Sequence, residues 1–158
     1  MGHQEPDGSW WGRWGVNYIY GTWQVLRGLC ALDENMNQDW IVRGRNWLES
    51  CQNPDGGWGE TCASYDDHSK KGKGASTASQ TAWALMGLVA CGDPYRTTVR
   101  RGVEYLLNTQ NPDGSWTEEE VTGTGFPKVF YLRYDMYRNN WPLLALAEYK
   151  KLRSKFPS

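Results

Sequence analysis

Val99, Val103, Leu106 and Leu107 recur at i, i+4, i+7 and i+8, which is one face of an α-helix. The helix they predict must stop before Asn111-Pro112-Asp113-Gly114, because proline drives the preceding residue out of the α region and glycine suits the turn. Three stretches rich in alanine and leucine also read as helices. They are Thr22–Leu32, with Val25, Leu29 and Leu32 sharing a face; Ser79–Ala90, with Ala82, Leu85, Met86 and Val89; and Asn140–Leu152. No segment alternates between apolar and polar positions for long enough to predict a strand. The expectation is an all-α chain.

The turn signal is repeated. Gln4-Glu5-Pro6-Asp7-Gly8-Ser9-Trp10, Gln52-Asn53-Pro54-Asp55-Gly56-Gly57-Trp58 and Gln110-Asn111-Pro112-Asp113-Gly114-Ser115-Trp116 align without gaps. Upstream, Arg43-Gly44 precedes Trp47-Leu48 and Gln52, as Arg101-Gly102 precedes Tyr105-Leu106 and Gln110. The unit is about fifty residues long and holds two helices around a turn, the sign of a repeat architecture. A glutamine amide at a helix end can bond the carbonyls left free there, and a tryptophan six residues later can fold its indole back to clip two helices together. Gln4, Trp10, Gln52, Trp58, Gln110 and Trp116 are therefore assigned structural roles.

At 158 residues the chain is expected to form a single domain over 1–158. A formal charge of −1 argues against nucleic acid as a partner, since phosphate binding needs clustered Lys and Arg. No apolar stretch approaches the length needed to span a bilayer, and Met1–Glu5 lacks the features of a signal peptide, so a cytoplasmic, non-secreted chain is expected. Cys30, Cys51, Cys62 and Cys91 show no metal-ligand spacing, and His3 and His68 add little, so no metal and no cofactor is expected and the cysteines read as reduced thiols. Aromatic residues number 22 of 158, enough to ask whether ring faces line a surface or cavity as well as filling a core.

The pattern [Lys/Arg]-Gly-x-x-aromatic-aliphatic-x-x-x-Gln-x-x-x-Gly-x-Trp, met at every position by Arg43–Trp58 and Arg101–Trp116, resembles the QW motif of the triterpene cyclases. Three non-repeated stretches, Asp7–Thr22, Gly72–Leu85 and Gly123–Tyr137, resemble the C-terminal part of a bacterial squalene–hopene cyclase. The Gly-Thr-Gly-Phe-Pro stretch at Gly123–Pro127 favours the squalene type over the oxidosqualene type. The resemblance runs from near Gln4 to about Tyr149. It implies an α/α toroid, here a partial one, built from helix pairs. It also implies polyene cyclisation of squalene or a related polyprenoid, with hopanoid-type products and attachment to one membrane leaflet as a peripheral protein.

By position in the matched motifs, Trp14, Phe126, Phe130, Tyr134 and Tyr137 are implied as cavity aromatics, and Tyr20 as a group near the hydroxyl or water end. Such rings suit the chemistry, because they stabilise a carbocation without forming a bond to it. The protonating Asp-x-Asp-Asp of that family does not occur in this sequence, and Tyr65-Asp66-Asp67-His68 reads as a solvated turn. The sequence also starts inside a repeat, at Gln4, so truncation at the N-terminus is expected. With it goes pairing with the missing cyclase region or self-association through apolar faces left uncovered. Arg133, between Leu132 and Tyr134, would oppose a cation if turned inward and be a surface group if turned outward. Competing readings are a non-catalytic isoprenoid- or lipid-binding module, a prenyltransferase subunit with a zinc set, and a tryptophan-rich sugar binder.

Overall fold

The computed structural model describes residues 3–156. Five helices are present among them: α1 (Tyr18–Ala31), α2 (Asp39–Ser50), α3 (Ala78–Ala90), α4 (Thr97–Asn108) and α5 (Tyr137–Arg153). Helix α3 is central and packs against α1 on one side and α5 on the other, while α2 and α4 lie against this inner row. That position explains its composition. Every residue from Ala78 to Val89 is buried, so α3 is apolar all round with small residues where neighbours approach. It begins at Thr77, whose Oγ1 accepts a hydrogen bond from Gln80 N (3.1 Å).

Two expectations from the hydrophobic pattern are corrected. Helix α1 turns Ile19, Thr22, Trp23 and Leu26 into the core, while Leu32, assigned to the buried face, is 75% exposed. The aromatic face of Trp23 outweighs the aliphatic stripe, because it buries more surface against Trp83. In α4, Val99, Val103 and Leu106 are buried as expected, but Leu107 is exposed.

Strands are present where none was expected. Gly123–Phe126 (β1) and Phe130–Leu132 (β2) form an antiparallel hairpin, with Gly123 opposite Leu132 and Thr124 opposite Tyr131. Strands of four and three residues, one with two glycines, carry too little alternation to be read. The outer edge of β1 is bonded from far away in sequence: Thr124 N donates to Trp14 O (2.9 Å), and Val16 N to Thr122 O just before the strand (2.9 Å).

The repeated turns work between units. Gln52 Nε2 donates to Gly56 O within its own turn (2.9 Å) and to Thr98 O in the first turn of α4 (2.9 Å). Gly56 has a φ of +92°, which an L side chain rarely adopts, and lies against the backbone of Arg101. The Trp58 indole N–H reaches back to Leu48 O (2.7 Å), and its ring rests on Gly102. The turn thus ties the helix before it to the outer helix after it. Trp116 repeats the first half of this pattern, donating to Leu106 O (2.8 Å).

Candidate functional site

The six aromatic residues singled out from the sequence fall into two adjoining groups. Trp14 meets Phe126 edge-on at 6.3 Å between ring centres, and Phe126 meets Phe130 at 5.9 Å. These three rings sit on the 12–17 loop and the hairpin, about half exposed. In the second group Tyr134 lies 4.7 Å from Tyr137, Tyr137 lies 5.8 Å from Trp83, and Tyr20 lies 4.9 Å from Trp83. The backbone bridge between Gly15 and Gly123 brings the loop and hairpin together.

Three of these rings are seated on glycines. A Cβ at Gly15 would overlap the Tyr20 ring, one at Gly123 the Tyr134 ring, and one at Gly125 the Phe130 ring. The close approach explains the glycines in the 12–15 loop and in β1.

Sequence reasoning missed three members of the cluster. Trp23 stacks on Trp83 (5.9 Å, planes 5° apart), and Trp141 meets Trp23 edge-on at 5.1 Å. The indole nitrogens of Trp23, Trp83 and Trp141 are all buried without a hydrogen-bond acceptor. Buried N–H groups normally find an oxygen. These three indoles pack against ring faces, those of Tyr20 and Tyr137 included, and none is aimed at an acceptor. The available signal was spacing, since Trp23 and Trp83 sit at the starts of predicted helices beside residues already assigned. The cations nearby are placed otherwise. Arg13 stands over the Trp14 ring at 5.3 Å, occupying one face, and Arg133 turns outward to Asp135 (3.4 Å).

A second set that the sequence reading missed lies beneath the rings. Glu60 and Glu118 each follow a repeat tryptophan by two residues and are both buried. Glu60 Oε2 accepts from Ile19 N (2.9 Å) and Asn17 N (3.2 Å), capping α1 just before Tyr20. Glu118 accepts from Ser79 N (2.8 Å) and Ser79 Oγ (2.7 Å), capping α3 just before Trp83. Gln80 Nε2 links Val16 O and Glu60 O (both 3.0 Å), and Tyr65 Oη donates to Gly15 O (3.0 Å). The aromatic layer therefore rests on a polar layer that holds both helix starts and the loop. Asp66, Asp67 and His68 are exposed, as expected of a solvated turn, although Tyr65 is buried.

Burial raises both carboxyls above the ordinary glutamate value of 4.5, against the hydrogen bonds that lower them. A raised folded-state value means that the folded protein holds the proton more tightly than the unfolded chain. The resulting stability is fully present below the ordinary value and is lost as pH rises through the raised one. Glu60→Gln removes that dependence at one site. In denaturant titrations the variant should gain on the parent steadily as pH climbs from the ordinary glutamate range to neutrality. A stability difference that does not change with pH would contradict the assignment.

No described helix is long and apolar enough to cross a membrane, and no described group of three His, Cys, Asp or Glu side chains could hold a metal. The four cysteines are free thiols; burial pushes Cys51 up to about 12 and Cys91 up to about 11, so neither is a reactive thiolate at neutral pH.

A squalene–hopene cyclase of Bradyrhizobium diazoefficiens is 53% identical over 152 residues, which cover 96% of this chain and 23% of the relative. One from Alicyclobacillus acidocaldarius is 57% identical over 148 residues, 94% of this chain and 24% of the relative. A dammaradiene synthase of Dryopteris crassirhizoma is 50% identical over 161 residues, 93% and 24%. The chain thus spans about a quarter of the length of these curated relatives. Among solved structures, a possible member of the GH105 family from Salmonella enterica superposes with a TM-score of 0.64 at 17% identity, over 98% of this chain and 47% of that one, a likeness of fold alone. Residues 1–151 match the family described as the squalene-hopene cyclase C-terminal domain, and with relatives at this identity the chain belongs to that family.

Proposed function

We propose that this chain is the C-terminal portion of a squalene–hopene-type triterpene cyclase and supplies part of the wall along which a polyprenoid cation is folded and stabilised. The observation that carries the reading is the aromatic cluster: Trp14, Phe126 and Phe130 present half-exposed ring faces, and Tyr134 and Tyr137 continue them toward Trp83 and Tyr20. Trp14, Phe126, Phe130, Tyr134 and Tyr137 line the path of the cation, and Tyr20 stands toward the end where the last charge is quenched. The helix pairs are an arc of an α/α toroid. A substrate as apolar as squalene fits peripheral attachment to the cytoplasmic face of a membrane, with the rest of the cyclase as the partner.

A second reading rests on the lack of an Asp-x-Asp-Asp string in this sequence: the same wall without an acid would bind an isoprenoid and leave it unchanged. Binding precedes chemistry in both readings, so binding is tested first. A polyprenoid carrying a tertiary ammonium in place of one carbon mimics the cation, and the hydrocarbon of the same shape is its control. Quenching of tryptophan fluorescence in detergent should report tighter binding of the ammonium. Tyr137→Ala should weaken that preference between about 2-fold and 30-fold, the worth of one desolvated cation–π contact. Equal affinity for the two probes would sink the cation-stabilising reading.

A further inference from the structure

The three Gln–Trp turns are alike in sequence and unlike in what they hold. In the first, Gln4 Nε2 donates to Trp40 O at the start of α2 (2.7 Å), and Gln4 Oε1 accepts from Arg43 Nη2 (3.0 Å). In the second, Gln52 does the same with Thr98 O (2.9 Å) and Arg101 Nη1 (3.2 Å), and Arg101 adds bonds to Asn53 O and Pro54 O. Each tryptophan ring then covers the glycine that follows the arginine, Gly44 or Gly102. An Arg-Gly pair on the next outer helix is thus the plug, and the turn is the socket.

The third socket is open. Gln110 Nε2 bonds only Gly114 O (2.9 Å) among the described residues. Gly8 and Gly56 are buried against arginine backbone, whereas Gly114 is exposed and a Cβ there would meet nothing nearer than Gln110 Nε2 at 3.9 Å. The inner helix tells the same story. Leu26 and Leu85 lie four residues beyond the group that accepts the tryptophan backbone N–H, and both are fully buried, Leu85 lying near Gly102 of the docked helix. The matching residue of α5 is Leu143, and it is 55% exposed.

We infer that the Gln110–Trp116 turn, with Leu107 and Leu143, is a docking socket for one further outer helix that carries an Arg-Gly pair. Taking the family reading above as given, that helix belongs to the part of the cyclase that this chain does not span. A second copy of this chain is a poor plug, because its own Arg43-Gly44 and Arg101-Gly102 are already engaged. The socket also sets a preference. In the filled second joint Glu49 accepts from Arg96 and Thr98, five and three residues before the plug arginine. The residue matching Glu49 is Leu107, so the missing helix should carry an apolar side chain there.

The test places a photo-crosslinking amino acid at Leu143, and separately at Leu32 as an exposed control on α1. Each variant is co-expressed with the remainder of the Bradyrhizobium relative. Mass spectrometry should find a crosslink from 143 to a helix containing Arg-Gly, lost in Gln110→Ala, and none of that kind from 32. In parallel, a hydrocarbon-stapled peptide copying Arg96–Asn108 should shift the Gln110 side-chain amide in an NMR spectrum. Its Gly102→Val form should not, and its Arg96→Leu form should bind more tightly. A crosslink to a second copy of this chain, to a segment without Arg-Gly, or no crosslink together with no amide shift would overturn the socket. Ring formation is scored separately: cyclised product with neither crosslink nor amide shift defeats the socket alone, and the crosslink without product defeats the catalytic reading alone.

Discussion

Trp58→Ala is expected to destabilise the protein by about 3–5 kcal/mol, the usual penalty for removing a large aromatic side chain from a packed core. Its indole is fully buried, donates to Leu48 O, and covers Gly102, so the variant loses contact area, a hydrogen bond and the joint between two units at once. The Leu48 carbonyl loses one of its two donors and keeps Cys51 N (3.2 Å). Against a total stability of about 5–15 kcal/mol, such a loss is a large share of the whole. Leu32→Ala, on a side chain 75% exposed, should change stability by no more than about 0.5 kcal/mol. Denaturant unfolding followed by tryptophan fluorescence and circular dichroism measures both. A Trp58→Ala variant as stable as Leu32→Ala would mean that the turns do not hold the units together.

Squalene incubated with this chain alone should give no cyclised product, and adding the remainder of a relative's chain should be required for any. Ring faces lower the energy of a cation that already exists. Making the first one from an alkene needs a strong, desolvated acid against the double bond. Asp66 and Asp67 are in water, and Glu118 has both oxygens held by Ser79. In the reconstituted enzyme Phe130→Ala should divert or abort ring closure while the fold survives. Phe130 is 45% exposed in this chain and rests on Gly125 rather than in the core, so its removal opens space at the wall and little elsewhere. Product analysis by gas chromatography reads the outcome. Pentacyclic product from the chain alone would show that an acid is present after all, and Glu60, whose Oε1 has no partner, would be the first to substitute.

The turns and their spacing were readable in the sequence because proline, glycine and a terminal glutamine act locally, through φ, ψ and the next few amides. The existence of helices in α3 and α4 was readable for the same reason. The direction of the joints was not. Arg43 and Gln52 stand in one repeat unit of the sequence, yet Arg43 bonds Gln4 of the turn before, and only stacking of units makes that choice. Glu60 and Glu118 look like ordinary solvated acids along the chain. Their burial follows from where α1 and α3 begin, since two helix starts need acceptors inside the protein.

Sequence by itself determined the repeated turns, the helix-rich character and the family, because each depends on residue type at fixed short spacing. Tertiary structure decided the rest. It chose the buried face of α1 by stacking Trp23 on Trp83, and it anchored β1 and the residue before it on the backbone of Trp14 and Val16. It also gathered Trp23, Trp83 and Trp141 into one cluster with Tyr20 and Tyr137. Each of those outcomes pairs groups far apart in the chain, and the free energy of such a pair is gained only when the whole packing brings them into contact.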